Sequence, residues 1–188
     1  ELWRIITGQQ PENKLKDYVV KNTETLSAGP YLDQIAGQTQ AKRALTIAVA
    51  GHHNIIFSGP PGAGKSMLAS TIPNLLPTLT DKEICELTKI YSLVSDVSEP
   101  HRERPFRAPH HSASLTSLIG GANGLPGELA LSHLGVLYLD ELPEFRRDFL
   151  EALRQPMENH SITSSFAHQK IKYPANFMLV ATMNPCPC

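Results

Sequence analysis

The run Gly59-Pro60-Pro61-Gly62-Ala63-Gly64-Lys65-Ser66 constrains this 188-residue chain more than any other feature. It follows a short apolar stretch, Asn54–Ser58, and precedes Met67, Leu68, Ile72 and Leu75 at helical spacing up to Pro77. The order is therefore strand, glycine loop, helix. A polyphosphate carries several negative oxygens, and a ring of backbone N–H groups at a helix N-terminus, with the helix dipole behind it, holds them well. Only glycine turns so tightly and lets a ligand approach so closely, and Gly59, Gly62 and Gly64 fill those positions. Gly59, Pro60, Pro61, Gly62, Ala63, Gly64, Lys65, Ser66 and Met67 are thus the expected ATP contacts. Lys65 reaches the β- and γ-phosphates, and the Ser66 hydroxyl ligates Mg²⁺. With glycine at about 7% of residues, chance matches to the four fixed positions fall well under roughly 1% of chains this long.

A second motif fits the first. Val136-Leu137-Tyr138-Leu139 suits a buried strand and ends in the adjacent carboxylates Asp140 and Glu141. At the carboxyl edge of a parallel sheet, Asp140 comes to lie beside the glycine loop as an Mg²⁺ ligand. Glu141 is the candidate general base for the attacking water. Phe177–Thr182 repeats the pattern with a neutral tip, so Asn184 is expected to sense the third phosphate. The expected catalytic set is Lys65, Asp140, Glu141 and Asn184; the expected metal ligands are Ser66 and Asp140.

Short apolar strands alternate with amphipathic helices along the rest of the chain. Helices are expected over Gln40–Ala50, from the loop to Pro77, from Asp81 to about Tyr91 (N-cap Thr80, capping partner Glu83) and over Arg146–Met157. Ser161–Ser165 and Gln169–Tyr173 read as hairpin arms, and residues 96–114 as irregular. This predicts an α/β fold with a mostly parallel sheet covered on both faces. Residues 1–32 read as the end of a preceding domain and a linker, and 33–188 as the core. The opening Glu1-Leu2-Trp3-Arg4 lacks an initiator Met and a secretory pattern, so a longer cytoplasmic protein is expected. No apolar run approaches the roughly 20 residues of a membrane span. Seventeen basic and eighteen acidic residues exclude a globally basic surface, so any DNA contact must be local. Cys85, Cys186 and Cys188 do not form an extracellular disulfide framework, and Cys186 and Cys188 make at most half of a zinc site.

Other residues carry two readings. His110-His111 lack a third metal ligand at useful spacing and read as structural or interface residues. Arg104 and Arg107 either meet a neighbouring subunit's nucleotide or pair with local carboxylates. His52-His53, with Ile35, Ala36 and Gly37, either flank adenine or are surface residues. Asn13-Lys14-Leu15-Lys16 lacks the Asp of a guanine-reading motif, and Asp140-Glu141 favour hydrolysis over phosphoryl transfer to a metabolite.

Several stretches together resemble the magnesium-chelatase-like AAA+ ATPases of the ComM/YifB type. They are Gly37-Gln38, Lys42–Leu45, Gly59–Ser66, Arg104–His111 (RPFRAPHH), Pro126–Glu128, Gly135–Phe145, Leu153–Glu158 and Asn184–Cys188 (NPCPC). The resemblance runs from about residue 33 to the end. It implies a P-loop NTPase with an AAA+ core, working in a hexameric homo-oligomeric ring. It also implies hairpin insertions, with the arginine finger, helical lid and sensor arginine beyond Cys188. Competence-linked members imply DNA branch migration of helicase or translocase type; the chelatase branch implies metal insertion through protein partners. Where the hairpin before the last strand often carries Arg, this chain has Phe166. The segment Phe166–Lys170 is the expected substrate contact, the other reading being that Phe166 packs into the domain or a subunit interface.

Overall fold

The computed structural model describes residues 30–96, 99–121, 124–166 and 169–185, apart from the side chains of 165, 166 and 169. The expectations for residues 1–29, for Ala167-His168, for the Phe166 side chain and for Cys186 and Cys188 fall outside that description.

After a 3-10 turn at Leu32–Gln34, helix α1 (Thr39–Ala50) buries Leu45, Ala48 and Val49, the i, i+3, i+4 stripe of an amphipathic helix. Gly51 ends it, donating its N–H to the Ile47 carbonyl at 3.0 Å. Strand β1 (Ile55–Ser58) then runs into the glycine loop. The helix expected from there to Pro77 is two pieces, α2 (Lys65–Ser70) and α3 (Ile72–Leu75). Pro73, lacking an N–H, prevents a continuous ladder past Thr71. Helix α4 (Asp81–Tyr91) starts as expected. Glu83 donates its N–H to Thr80 Oγ1 and takes the Thr80 N–H on its own carboxylate at 2.7 Å.

The segment expected to be irregular contains a two-residue strand, β2 (Phe106–Arg107). Too short for a periodic signal, it exists because Phe106 and Arg107 pair in parallel with Val136 and Leu137. Short helices α5 (Leu115–Ile119) and α6 (Glu128–Leu131) follow, the first capped by Ser114 Oγ accepting from the Ser117 N–H. Strand β3 (Val136–Leu139) is buried throughout, as a central parallel strand must be. The single helix expected over Arg146–Met157 is instead α7 (Arg147–Ala152) and α8 (Arg154–Asn159), since Pro156 cannot donate back to the preceding turn. Strands β4 (Ser161–Phe166) and β5 (Gln169–Pro174) form the expected antiparallel hairpin, and β6 (Met178–Met183) completes the set.

The main sheet has four strands in the order β1-β6-β3-β2, all parallel. Alternation along the strands splits the core in two. Val136, Tyr138, Met178 and Val180 pack with Leu45, Val49, Leu68 and Ile72 on one face. Leu137, Leu139 and Ala181 pack with Phe145, Phe149, Leu129 and the hairpin residues Ile162 and Tyr173 on the other. The fold is thus α/β, with helices on both faces. Because β1, β3 and β6 are parallel neighbours, their carboxyl ends share one edge, and the chemistry-bearing residues gather there.

Candidate active site

The glycine loop leaves β1 and turns back through two residues in the left-handed region, Gly62 at φ +77° and Gly64 at φ +80°. A Cβ at either position would meet no atom within 4 Å, so backbone conformation rather than crowding requires glycine there. Gly64 also caps α2. The loop is braced from α1, where Gln38 Nε2 donates to the Ala63 carbonyl at 3.1 Å.

Lys65 folds back over the loop. Its ammonium donates to the carbonyls of Gly59 (2.7 Å) and Pro60 (2.9 Å) and to Asn184 Oδ1 (3.0 Å). The expected sensor amide and the expected phosphate-binding cation, 119 positions apart in sequence, are therefore in direct contact.

Asp140 leaves the end of β3 on the face that carries Val136 and Tyr138. Its Oδ2 accepts from Ser66 Oγ at 3.5 Å, while Oδ1 accepts from Tyr138 OH at 2.8 Å and from the Thr182 hydroxyl. Burial pushes the Asp140 carboxyl upward, but hydrogen bonds from Thr182, Tyr138, the Glu141 backbone and Ser66 outweigh it and hold the group below its ordinary range. An ionised carboxylate beside a hydroxyl is a hard oxygen donor set, which suits Mg²⁺. The Tyr138 phenol is raised instead, first by burial.

Glu141 sits in a left-handed conformation, φ +55° and ψ +55°, uncommon for a residue with a side chain. Its N–H donates to Thr182 Oγ1 at 3.1 Å and its carbonyl accepts from the Glu144 N–H at 2.8 Å. One buried hydroxyl on β6 thus ties both carboxylate residues to the neighbouring strand. Sequence reasoning missed Tyr138 and Thr182. Tyr138 was findable as the residue two before Asp140 on the same strand face. Thr182 needed the β3–β6 register, which pairs Leu139 with Ala181.

The two parts of the adenine expectation separate. Ile35 is buried, its carbonyl accepts from Lys42, and Gln38 ties the same segment to the glycine loop, so Ile35–Gly37 lie on the loop's side of the sheet. His52 instead precedes β1 and lines a cavity of about 500 Å³ with Arg104, Leu134 and Asn176, at the amino ends of the strands. A four-residue strand, about 13 Å long, separates it from the loop, so His52-His53 lie at the far end of β1 from the glycine loop. Arg104 and Arg107 are engaged within the chain. Arg104 donates to the Pro77 and Leu134 carbonyls and pairs with Glu83, and Arg107 grips Glu128 with two bonds of 2.7 Å. His110 and His111 turn up beside Asp140 and Glu141. Among the described residues no three His, Cys, Asp or Glu side chains gather to hold a metal ion, and no helix is long and apolar enough to cross a membrane.

A family described as "Magnesium chelatase, subunit ChlI" matches residues 31–188. The chain is 50% identical to competence protein ComM of Haemophilus influenzae over 98% of its own length and 37% of that protein. It is 55% identical to YifB of Escherichia coli over 83% of its length and 31% of that protein. It therefore spans about a third of the curated relatives it matches. Among solved structures, a magnesium chelatase assembly of subunits BchI and BchD superposes with a TM-score of 0.59 at 22% identity, covering 79% of this chain and 51% of that one. NtrX of Brucella abortus, solved with ADP, superposes with a TM-score of 0.56 at 15% identity, covering 81% of this chain and 31% of that one.

Proposed function

Since the chain belongs to the magnesium chelatase, subunit ChlI, family and has the AAA+ fold, we propose that it binds and hydrolyses Mg²⁺–ATP as the motor core of a cytoplasmic, hexameric ring that remodels DNA. The observation that carries this reading is the convergence of Lys65, Ser66, Asp140 and Asn184 at one edge of the sheet, joined by direct contacts. The backbone of Gly59–Met67 cradles the phosphates. Lys65 exchanges its contacts with the Gly59 and Pro60 carbonyls and with Asn184 Oδ1 for phosphate oxygens, which frees Asn184 to face the terminal phosphate. Ser66 and Asp140 would hold Mg²⁺, which would supply charge neutralisation at the phosphates when bound. Glu141 accepts a proton from the attacking water.

One observation supports DNA as the substrate. Lys170 and Lys172 are exposed and share one face of the hairpin, where their cross-strand partners are Ser165 and Thr163. This pair of exposed lysines suits local phosphate contacts, while the near-neutral overall charge by itself gives no attraction to DNA. Protein partners are the second reading, supported by the similarity to a BchI–BchD assembly.

The test uses the full-length protein. Lys65→Ala should weaken nucleotide affinity about 10- to 100-fold, the worth of a hydrogen-bonded charge. Glu141→Gln should keep affinity and lower turnover by about 10²–10⁴-fold. Parental hydrolysis by Glu141→Gln, or parental affinity in Lys65→Ala, would overturn the assignment. Turnover indifferent to single-stranded and branched DNA would move the substrate to a protein partner.

A further inference from the structure

The segment Ala108–His111 has no part in the function proposed so far, yet the topology brings it to the site. It leaves β2 at the same edge of the sheet at which Asp140 leaves β3, because the two strands are parallel neighbours. His110 and His111 line, with Tyr138, Asp140 and Glu141, a cavity of about 290 Å³. A water molecule's share of the liquid is about 30 Å³, so the space admits several waters or a phosphate oxygen with its solvent.

The state of His110 follows from its neighbours. Its Nδ1 accepts from the backbone N–H of Ser112 at 3.3 Å, with the Ser112 hydroxyl 2.8 Å away. A backbone N–H can only donate, so in the neutral ring the proton sits on Nε2. The ring is also braced. It packs against His111 in a tilted contact with centroids 4.0 Å apart, and His111 packs edge-on against the buried Phe145. The cavity is therefore lined by two carboxylates and by a braced imidazole whose second ring nitrogen carries an N–H donor.

We propose that this cavity seats the attacking water and that His110 orients it together with Glu141. The inference rests on the hydrolytic reading above. Glu141 accepts one O–H of the water, and His110 Nε2–H donates to one lone pair of its oxygen, which leaves the second lone pair for phosphorus. As the new O–P bond forms, the bond from the terminal phosphorus to the ADP oxygen breaks, and the water's proton passes to Glu141. His110 keeps its own proton throughout.

In the full-length protein two substitutions separate the donor from the ring. His110→Gln keeps an N–H donor of similar reach without the imidazole, and His110→Phe keeps a ring for His111 to pack against without the donor. Steady-state turnover and the affinity for a fluorescent ATP analogue are measured for each, alone and combined with Glu141→Gln. His110→Phe should lower turnover about 10- to 100-fold, the scale of a misplaced reactant, with affinity unchanged, while His110→Gln should stay within about threefold of the parent. With Glu141→Gln already present, His110→Phe should cost almost nothing more. The inference is overturned if His110→Phe turns over at the parental rate, if both variants fall alike, or if the two losses multiply. If the parent does not hydrolyse ATP, or Glu141→Gln does not slow it, the underlying hydrolytic reading fails instead.

Discussion

Replacing Thr182 by valine removes a single hydroxyl while nearly keeping the shape of the side chain, and it should affect both carboxylate residues at once. Thr182 is 1% exposed; its hydroxyl donates to Asp140 and accepts from the Glu141 N–H. A hydrogen bond to a charged group contributes about 1.5–3 kcal/mol, and a buried N–H left without an acceptor costs about 1–3 kcal/mol. Asp140 is exposed to water, which takes up part of the loss, and the buried methyl offsets about 1 kcal/mol. The net destabilisation is then about 2 kcal/mol, or a melting temperature lower by roughly 5 °C for a chain of this size. The remaining donors hold Asp140 less firmly, so half-maximal nucleotide binding should need several-fold more Mg²⁺. Thr182→Ser is the control, since it keeps the hydroxyl and loses only a methyl. Calorimetric melting and Mg²⁺ titration of nucleotide binding read both effects. The reasoning is refuted if Thr182→Val melts at or above Thr182→Ser with an unchanged Mg²⁺ requirement.

Arg107→Lys should cost about 1 kcal/mol in denaturant midpoint, because lysine cannot reproduce the two-bond grip on Glu128 and the pair is partly exposed; an unchanged midpoint would show that the grip adds nothing. Acid should destabilise the fold below about pH 6.5. Burial holds His133 and His101 below their ordinary 6.5, so the unfolded chain takes up those protons first, and stability complete above that pH is lost progressively as pH falls. Melting curves at pH 7.5 and 5.5 check the sign, and a flat or rising melting temperature on acidification contradicts it.

The glycine loop, the Asp140-Glu141 pair and Asn184 were legible because each combines a local pattern with a strand end, and strand ends can be read from runs such as Val136–Leu139. The capping of α4 was legible for the same reason, with Thr80 and Glu83 three residues apart. What stayed hidden depends on neighbours distant in sequence. Phe106-Arg107 has no period of its own and becomes a strand only against Val136-Leu137. Thr182 acquires its two partners from register alone, and His110 its place beside Glu141 from strand order. The breaks at Pro73 and Pro156 were the reverse case. The residue was visible, but the apolar stripe ran past it and suggested a longer helix.

Strand order also sets a folding problem. Strand β6 comes last in sequence among the described strands and lies between β1 and β3. Until Met178–Met183 has been synthesised, β1 has no strand partner among the described residues, although β2 and β3 can already pair. A ribosome adding about 5–20 residues per second therefore leaves the apolar segment Ile55–Ser58 unpaired while more than a hundred further residues emerge, a matter of several seconds. During that interval the only parallel pairing open to the described strands is that of β2 with β3. Strand β6 joins β1 to β3, and the segment that follows it brings Asn184 onto Lys65, so the candidate site cannot be complete before β6 is in place.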